Sequence, residues 1–312
     1  MTVAVLSAFF KPLLEGRLPD WIEPRWYATK AEALELAPEA EIGWFDFFAR
    51  DDVRHTVERA ERMTWLNSLF AGVESFPLEL LRDRGVVLTN GAGINAVPIA
   101  EYVVMSMLAF AKGYREVVRA QDRHDWLKDS PGKRELFGSS AMILGYGGIG
   151  AEVHRRLVPF GIACSVVSRR GGSGVLNPDQ WRSALHGMDW VIVAVPATPE
   201  TEGMIGEKEL AMMKPNAVVV NIARGSVIDQ QALTAALQEG RIGGALLDVT
   251  TPEPLPADDP LWGLENAHIT MHLSGRAQQL AFQRAANRFV ENLGRYERGE
   301  TLEPVVDFSL GY

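Results

Sequence analysis

The sequence predicts an α/β protein with two domains, each built on a parallel sheet. Short apolar segments alternate with longer helix-compatible stretches almost throughout the chain, and this alternation is typical of β–α–β units. The chain has 312 residues, whereas one hydrophobic core usually serves about 100–150 residues. We therefore expect two α/β domains.

The strands are predicted from ten short apolar segments, most of which are separated by helix-compatible sequence. No internal repeat or low-complexity tract interrupts this order. The ten predicted strands are Val3–Leu6, Glu41–Phe45, Trp65–Leu69, Val86–Thr89, Ala141–Leu144, Cys164–Val167, Trp190–Val195, Ala217–Asn221, Ala245–Val249 and His268–Thr270.

Two longer helices are predicted, from about Pro98 to Arg119 and from about Ala277 to Arg298. Both carry apolar residues at helical spacing, and core packing is the favoured interpretation of these stripes. One helix precedes a glycine-rich segment and the other follows the last predicted strand. These positions are expected if one domain is inserted into the other and the helices connect them. The polar, turn-rich segment Lys128–Lys133 is expected to be a surface loop.

Composition limits the location and the kinds of partner. The formal net charge of −9 disfavours nucleic-acid and anionic-membrane partners, although a local arginine cluster can still bind a small anion. Cys164 is the only cysteine, which excludes an internal disulfide and suits a reducing compartment. No apolar run approaches the ~18 residues of a membrane span, and Met1–Leu6 resembles a strand more than a signal peptide. We therefore expect a cytoplasmic protein.

A glycine-rich segment lies between a predicted strand and a predicted helix. It consists of Gly145, Tyr146, Gly147, Gly148, Ile149 and Gly150. This GxGxxG pattern, in that context, predicts a dinucleotide-binding turn in a Rossmann-like domain, with the pyrophosphate at the helix N-terminus. The first glycine permits the tight turn, the second allows close approach of a pyrophosphate, and the third allows helix and strand to pack closely. A glycine-rich turn without a ligand is the alternative.

The next predicted strand is followed by Ser168, Arg169 and Arg170. Domains that bind NAD often have an acidic residue here for the ribose hydroxyls. A carboxylate would repel a 2′-phosphate, whereas a hydroxyl and a guanidinium would bind one. The sequence therefore favours NADP(H), with NAD(H) as the alternative cofactor and a solvated basic turn as the alternative without a ligand.

Further polar segments follow later predicted strands, at the sheet edge where ligands bind in parallel α/β proteins. The first contains Val195, Pro196 and Thr201, and the second contains Ile222, Ala223 and Arg224. The last two contain Asp248 with Glu253, and His272 with Ser274.

Together these motifs resemble the D-isomer-specific 2-hydroxyacid dehydrogenase family, especially its glyoxylate/hydroxypyruvate reductases. The resemblance covers nearly the whole chain. It includes the segments Leu69–Glu74 and Ala100–Tyr102, the glycine motif, and the arginine, glutamate and histidine segments in the expected order. Several independent motifs in one order make the match far more specific than any single motif.

The resemblance implies roles for individual residues. Arg224 would bind a 2-keto acid, Glu253 would orient a histidine, and His272 would donate the proton. The turn formed by Ala71, Gly72 and Val73 would offer N–H groups to the substrate carboxylate. The cofactor site would also include Val195, Pro196, Thr201, Ile222, Ala223, Asp248 and Ser274.

The sequence departs from the family pattern at two places. Met271 stands where the family commonly has a proline, and we expect little effect because the reacting group is unchanged. The acid after the second strand of the nucleotide domain is also replaced. This second departure puts NAD in doubt, and not the reaction.

Chemical reasoning supports the same roles. Hydride transfer to a ketone places negative charge on its oxygen, which an arginine can polarise while pairing with the carboxylate. A protonated histidine can deliver the proton, and a glutamate on its far nitrogen fixes the tautomer. Singly, Arg224 could be a surface cation, Glu253 a turn residue and His272 a buried histidine, but the joint arrangement favours catalysis. No metal site is expected, since His268 and His272 lie in a strand-like run.

The predicted organisation places a dinucleotide-binding Rossmann domain, residues 98–282, inside a flavodoxin-like substrate-binding domain, residues 1–97 and 283–312. The active site is expected in the cleft between them. The resemblance further implies a homodimer with the Pro98–Arg119 region at its interface.

The predicted function is the NADPH-preferring reduction of small 2-keto acids, such as glyoxylate or hydroxypyruvate, to D-2-hydroxy acids. Two alternatives remain. One is NAD-dependent oxidation of a D-2-hydroxy acid or a phosphorylated relative. The other is a nucleotide-sensing scaffold without catalysis, since the family includes transcriptional corepressors.

Overall fold

The structure is a computed structural model that describes residues 1–46, 50–73, 75–169, 171–172, 174–276 and 278–309. The chain divides into two compact units. The first unit is Met1–Asn95 together with Ala277–Tyr312, and the second unit is Ala96–Arg276. The second unit is therefore an insertion in the sequence of the first. The sequence analysis expects the inserted domain to span residues 98–282. The first of these limits lies close to the start of the second unit, and residue 282 lies beyond its end, within the last helix.

The first unit is built on a parallel sheet. Its strands are β1 (Thr2–Ser7), β2 (Ile22–Tyr27), β3 (Ile42–Trp44), β4 (Trp65–Asn67) and β5 (Val87–Thr89). Among the described residues the strand order is β2-β1-β3-β4-β5, which is the flavodoxin-like order. Near the end of the chain, Val305 forms an antiparallel bridge with Thr89 of β5.

The second unit is built on a larger parallel sheet. Its strands are β6 (Ser140–Leu144), β7 (Ala163–Val167), β8 (Val175–Leu176), β9 (Trp190–Val193), β10 (Val218–Asn221), β11 (Gly244–Leu247) and β12 (Ala267–Ile269). In the described part of the chain their order is β12-β11-β10-β9-β6-β7-β8. The chain thus extends from β6 to one side and then crosses to β9 on the other. Ligands of Rossmann folds bind outside the carboxyl ends of the strands at this reversal.

Helices connect the strands. They are α1 (Lys11–Leu14), α2 (Lys30–Leu36), α3 (Arg50–Arg59), α4 (Leu78–Asp83), α5 (Ala96–Ala111), α6 (Tyr114–Asp122), α7 (Gly148–Leu157), α8 (Trp181–Ala184), α9 (Glu207–Ala211), α10 (Gln230–Gln238) and α11 (Gln278–Glu297). Local sequence sets several ends. Thr29 begins α2 with a capping box that includes Glu32, and the Asp229 carboxylate accepts from the first amides of α10; such caps contribute about 1 kcal/mol each.

Both sheets are covered on both faces. In β1, the side chain of Val5 joins one apolar cluster, while Ala4 and Leu6 join the cluster on the other face. In β6, Leu144 and Ile143 divide in the same way between two clusters of the second unit. All five side chains are fully buried. Strands covered on both faces have nearly continuous apolar sequences, which is why these segments could be recognised.

The α/β fold with two parallel sheets confirms the predicted fold class, and all ten predicted strands are present. The sequence analysis missed β2 and β8. β2 contains Pro24 between two charged residues, and proline is tolerated there because β2 lies at the sheet edge. β8 has only two residues, too few for a recognisable pattern. Some strands were also predicted to extend too far, because apolar residues such as Val249 are buried in loops beyond the end of the strand.

The prediction of one helix from Pro98 to Arg119 is wrong, because the chain bends between α5 and α6 by 70°. Gly113 has a left-handed conformation there, with φ 61°. A Cβ at this position would lie 2.9 Å from the Gly132 nitrogen, so the turn requires glycine. Taken singly, no helix in the described part is long and apolar enough to cross a membrane; the bent pair reaches that length and apolarity only when counted together. The second predicted helix is confirmed as α11, with Ala277 outside the described residues.

Candidate functional site

The glycine segment joins β6 to α7, and its three motif glycines meet three different requirements. Gly145 has φ 99°, and a Cβ there would lie 2.6 Å from the Ala194 carbonyl oxygen. A Cβ on Gly150 would lie 2.0 Å from the Gly145 oxygen. At Gly147, by contrast, no atom of the described residues other than its two chain neighbours lies within 4 Å of the Cβ position. The turn is therefore tight, closely packed and open on the side where a phosphate would approach.

The backbone at the start of α7 also suits an anion. The amides of Gly147, Gly148 and Ile149 donate to no acceptor among the described residues. The first amides of a helix have no intrahelical partner, and the helix dipole makes this end positive. Tyr146 is partly exposed beside them and contacts His154, with 3.3 Å between Oη and Nδ1. These residues fit the pyrophosphate of a dinucleotide.

The basic turn predicted to bind a 2′-phosphate follows β7. The Ser168 amide donates to a carbonyl of β8 at 3.1 Å, and Arg169 is exposed. Arg170 lies outside the described residues. The Thr198 hydroxyl lowers the pKa of the Glu200 carboxyl, and the Arg169 guanidinium lowers it further. Glu200, in the loop after β9, therefore lies within electrostatic range of Arg169; the sequence analysis missed it because nothing distinguishes it from an ordinary surface acid.

The remaining residues predicted to line the cofactor site lie after β9 and β10. Val195 is half-buried and Pro196 is exposed, while Ile222 and Ala223 are buried. The Thr201 hydroxyl donates to the Pro196 carbonyl at 2.7 Å and so closes the loop after β9. These contacts fix the shape of the sheet edge, and the cofactor contacts stay predictions.

Asn221, at the end of β10, fixes the backbone that carries Arg224. Its side chain is 1% exposed; its Nδ2 donates to the Arg224 carbonyl at 3.0 Å and its Oδ1 accepts from the Ala223 amide at 3.1 Å. A Cβ on Gly225 would lie 2.0 Å from the Thr250 oxygen, so this segment packs against the loop after β11. The sequence analysis gave no role to Asn221 or Gly225, although a glycine directly after the predicted substrate arginine is a usable signal.

The structure brings two of the three predicted catalytic side chains into direct contact. Glu253 Oε2 lies 2.9 Å from His272 Nδ1, and Glu253 Oε1 accepts from the Thr250 amide at 3.1 Å. The side chains of His272 and Glu253 are 47% and 39% exposed. Arg224, Glu253 and His272 follow β10, β11 and β12, which are adjacent in one parallel sheet. All three therefore lie at the same sheet edge.

Asp248 holds the segment that contains His272. Its carboxylate is 1% exposed and accepts from the Thr270 hydroxyl at 2.6 Å and from the amides of Leu273 and Ser274 at 2.9 and 3.1 Å. The His272 amide donates to the Asp248 carbonyl at 2.8 Å. These bonds support a left-handed backbone at His272, with φ 52°, which is uncommon for a residue other than glycine. The predicted cofactor contacts of Asp248 and Ser274 stay predictions.

His268 differs from His272 in environment. Burial, with additional effects from Arg115 and Arg119, lowers the pKa of His268 to about 4. Its ring contacts Phe110 edge-on, with 5.3 Å between centroids. In the described part of the chain, no group of three His, Cys, Asp or Glu side chains could hold a metal ion.

In the first unit, the turn predicted to bind a carboxylate offers backbone donors. The amides of Ala71, Gly72 and Val73 donate to no acceptor among the described residues. The Ala71 carbonyl accepts from Asn90 Nδ2 at 2.8 Å, which fixes the start of the turn. Glu74, the last residue of the motif, lies outside the described residues. Three successive free amides suit an anion.

Comparisons with known proteins show the family to which this chain belongs. The family model of the D-isomer specific 2-hydroxyacid dehydrogenase NAD binding domain matches residues 104–274. A D-3-phosphoglycerate dehydrogenase from Methanocaldococcus jannaschii is 31% identical over 89% of this chain and 54% of its own length, so the chain spans about half of that relative. A glyoxylate/hydroxypyruvate reductase B from Pectobacterium carotovorum is 32% identical over 80% of this chain and 81% of its own.

A solved structure of a related protein is similar over the whole length of this chain. The D-isomer specific 2-hydroxyacid dehydrogenase from Xanthobacter autotrophicus Py2, in complex with NADPH and MES, has a TM-score of 0.80 and 28% identity, covering 100% of this chain and 99% of that chain. The chain therefore belongs to the D-isomer specific 2-hydroxyacid dehydrogenase family, a family of oxidoreductases with an NAD-binding domain. This confirms the family resemblance drawn from the motifs.

Proposed function

We propose that this chain reduces small 2-keto acids, such as glyoxylate or hydroxypyruvate, to D-2-hydroxy acids, with NADPH as the preferred hydride donor. The observation that carries the proposal is the 2.9 Å contact between Glu253 and His272, in the same parallel sheet that bears the glycine turn. The similarity to a glyoxylate/hydroxypyruvate reductase B at 32% identity supports the class of substrate.

In this proposal His272 supplies the proton. Glu253 contacts Nδ1, which leaves Nε2 as the ring nitrogen that transfers a proton to the substrate oxygen. The Glu253 carboxylate orients the imidazole ring through this contact. His272 transfers the proton from Nε2 to the substrate oxygen as the electron pair of the C=O bond moves to that oxygen, while the carbonyl carbon gains the hydride that a bound reduced dinucleotide would supply.

Arg224 stabilises the charge that develops on the substrate oxygen. Its backbone is fixed by Asn221 on one side and by the Gly225 contact on the other, and its guanidinium Nη1 donates to the Ala223 carbonyl at 2.9 Å. A preorganised cation of this kind acts without reorganisation during the reaction. The free amides of Ala71, Gly72 and Val73 bind the substrate carboxylate in this scheme.

The cofactor assignment rests on the nucleotide turn. When bound, a reduced nicotinamide dinucleotide supplies the hydride. The open backbone at Gly147 and the free amides of the first turn of α7 would hold its pyrophosphate. Ser168 and Arg169 would bind a 2′-phosphate, since no acid takes that position in the sequence. The related structure that contains NADPH supports this preference.

We also propose a homodimer formed through α5 and α7 of the second unit. A groove of about 810 Å³ lies there, lined mainly by apolar side chains that include Val104, Met105, Leu108 and Phe160. Met105 is 55% exposed, and contiguous exposed apolar surface often marks an interface. Met105→Arg should therefore yield a monomer in sedimentation experiments, whereas Leu280→Arg, at an exposed leucine of the first unit, should leave the dimer intact. A monomeric parent protein contradicts this assignment.

The reaction is tested with a panel of 2-keto acids assayed with NADPH and with NADH. The expected result is turnover of glyoxylate or hydroxypyruvate, with at least a tenfold higher kcat/KM for NADPH than for NADH. Bulkier 2-keto acids should react more slowly. Binding of NADPH without turnover of any 2-keto acid would favour a non-catalytic scaffold instead.

A further inference from the structure

A buried carboxylate lies next to the turn at Ala71 in the first unit. Asp46 is 2% exposed and follows β3 by two residues. Its Oδ2 accepts from Trp44 Nε1 at 2.7 Å and also from the Leu69 amide, and its Oδ1 accepts from the Ser68 hydroxyl at 2.8 Å. A carboxylate is costly to bury unless such donors satisfy it. Two of the three donors belong to the segment that leads into the turn.

The hydrogen bonds continue from Asp46 along this segment. Ser68 Oγ accepts from the Phe70 amide at 3.0 Å, and the Phe70 carbonyl accepts from the Gly91 amide at 2.8 Å. A Cβ on Gly91 would lie 1.7 Å from the Leu69 oxygen, so the two backbones pack without space for a side chain. The segment is therefore held on both sides before it reaches Ala71.

This arrangement divides the amides of the segment into two groups. The amides of Leu69 and Phe70 are bound by Asp46 and Ser68, whereas those of Ala71, Gly72 and Val73 donate to no acceptor in the part of the chain that the structure describes. We propose that Asp46 is a positioning residue that holds these three amides ready for the carboxylate of the substrate. The proposal rests on the carboxylate-binding role given to this turn under Proposed function.

The donors of Asp46 distinguish it from a buried polar group that only supports the sheet. A buried polar group that only supports the sheet exists one strand away, where Trp65 Nε1 donates to Thr89 Oγ1 at 2.8 Å and Thr89 donates to Asn67 at 2.9 Å. This group is also buried beside a tryptophan, but its side chains accept from no amide or hydroxyl of residues 68–70, the segment that leads into the turn. Thr89→Val is therefore a matched control for the loss of a buried hydrogen bond in the same sheet.

The direct test measures anion binding by the full-length chain without any reaction. Oxalate, an unreactive dicarboxylate, is titrated into parent, Asp46→Asn and Thr89→Val proteins, and the amide signals of Ala71, Gly72 and Val73 are followed by NMR. In Asp46→Asn the negative charge that binds the Leu69 amide and the Trp44 indole is lost, and an amide nitrogen replaces one acceptor oxygen, so the Ser68 hydroxyl must accept where it donated. We expect saturable shifts in the parent, at least tenfold weaker binding in Asp46→Asn, and a change of less than threefold in Thr89→Val. Equal affinity in parent and Asp46→Asn would overturn the proposal, and so would the absence of shifts at these amides in the parent.

Ser68 provides a second pair of variants if Asp46→Asn does not fold. Ser68→Ala removes the acceptor of the Phe70 amide and should weaken oxalate binding at least threefold, while Ser68→Thr keeps the hydroxyl and should restore it. Unchanged binding in Ser68→Ala contradicts the proposal.

Steady-state kinetics separate this proposal from the proposed reaction. Asp46→Asn should raise KM for the best 2-keto acid at least tenfold, change kcat less than threefold and leave NADPH affinity within twofold. A fall confined to kcat would overturn the positioning role. If the parent reduces no 2-keto acid, the proposed function fails, but the oxalate experiment still decides the role of Asp46.

Discussion

The two units each place a buried aspartate behind a segment assigned to substrate chemistry, but the donors differ. In the second unit Asp248 directly follows β11 and binds one segment, residues 270–274, through a hydroxyl and two amides. In the first unit Asp46 binds the indole of Trp44, the last residue of β3, and the segment after β4. Asp248 thereby orients a residue with a reactive side chain, His272, and Asp46 orients backbone amides.

This difference shows that a buried aspartate after a parallel strand can position either a side chain or a set of backbone amides. A carboxylate with several acceptor positions can bind successive donors of an irregular segment that no ladder of backbone hydrogen bonds supports. The group that such a carboxylate positions depends on the residues next to its donors: a reactive side chain for Asp248 and backbone amides for Asp46. The comparison predicts that loss of Asp248 affects the chemical step, whereas loss of Asp46 affects substrate binding.

The largest effect is expected at the end of the segment that Asp248 holds. His272→Gln removes the proposed proton donor and should lower kcat/KM for the best 2-keto acid by about 10²–10⁴, with NADPH affinity within threefold. His268→Gln is the matched control, since His268 is half-buried and its ring packs on Phe110, and it should retain activity within threefold. Near-normal kcat/KM in His272→Gln would show that His272 is not the proton donor. In the same assay, Arg224→Ala tests the proposed role of Arg224 in stabilising charge on the substrate oxygen.

The second prediction concerns the charge of Asp46. Burial raises its pKa to about 6 from an ordinary value of 3.8, against opposing hydrogen bonds from Leu69, Ser68 and Trp44. The folded state therefore binds this proton more tightly than the unfolded state. The contribution of Asp46 to stability should be present below about pH 4 and should be lost, by about 3 kcal/mol, as the pH rises through about 6.

Asp46→Asn isolates this contribution because it removes the ionisation. The free energy of unfolding is measured for parent and variant by denaturant-dependent hydrogen exchange of amides in β3 and β4, at about pH 4 and about pH 7.5. The parent should lose stability relative to the variant between these two values. A difference that does not change with pH contradicts the prediction.

The third prediction compares the two aspartates directly. Asp248→Asn places an amide nitrogen against either the Leu273 or the Ser274 amide, because these two amides donate to different oxygens of Asp248, and it should loosen the left-handed backbone at His272. We expect kcat to fall by about 10- to 100-fold, with KM changed less than threefold. Asp46→Asn is expected to do the reverse, raising KM with little change in kcat. If kcat and KM change in the same way in both variants, the two aspartates do not have the different roles proposed.

The smallest effect is expected at the basic turn after β7. Replacing Ser168 by Asp and Arg169 by Gln should lower the ratio of kcat/KM for NADPH to that for NADH by about 10-fold or more, because the carboxylate repels a 2′-phosphate and the guanidinium is lost. Glu200→Gln is a useful companion, since Glu200 lies within electrostatic range of Arg169 and its loss should favour NADPH slightly. A parent enzyme that already prefers NADH would contradict the premise.

The sequence predicted the features that depend on local pattern. The glycine turn was recognisable because each glycine meets a backbone requirement, and the order of Arg224, Glu253 and His272 placed them after consecutive strands of one sheet. β2 was not recognisable because Pro24 disrupts its pattern, and the break at Gly113 was missed because the apolar residues continue on both sides. Asp46 was missed because its partners Ser68 and Leu69 follow another strand, β4, and tertiary pairing of a buried acid leaves no periodic signal.

The most direct test of the central claim is the configuration of the product. Hydroxypyruvate is incubated with NADPH and the parent protein, and the glycerate formed is resolved by chiral chromatography, with His272→Gln and His268→Gln measured beside it. We predict D-glycerate as the single product, formed at a similar rate by His268→Gln and at least 100-fold more slowly by His272→Gln. L-glycerate, or no glycerate from a parent protein that binds NADPH, would contradict the account.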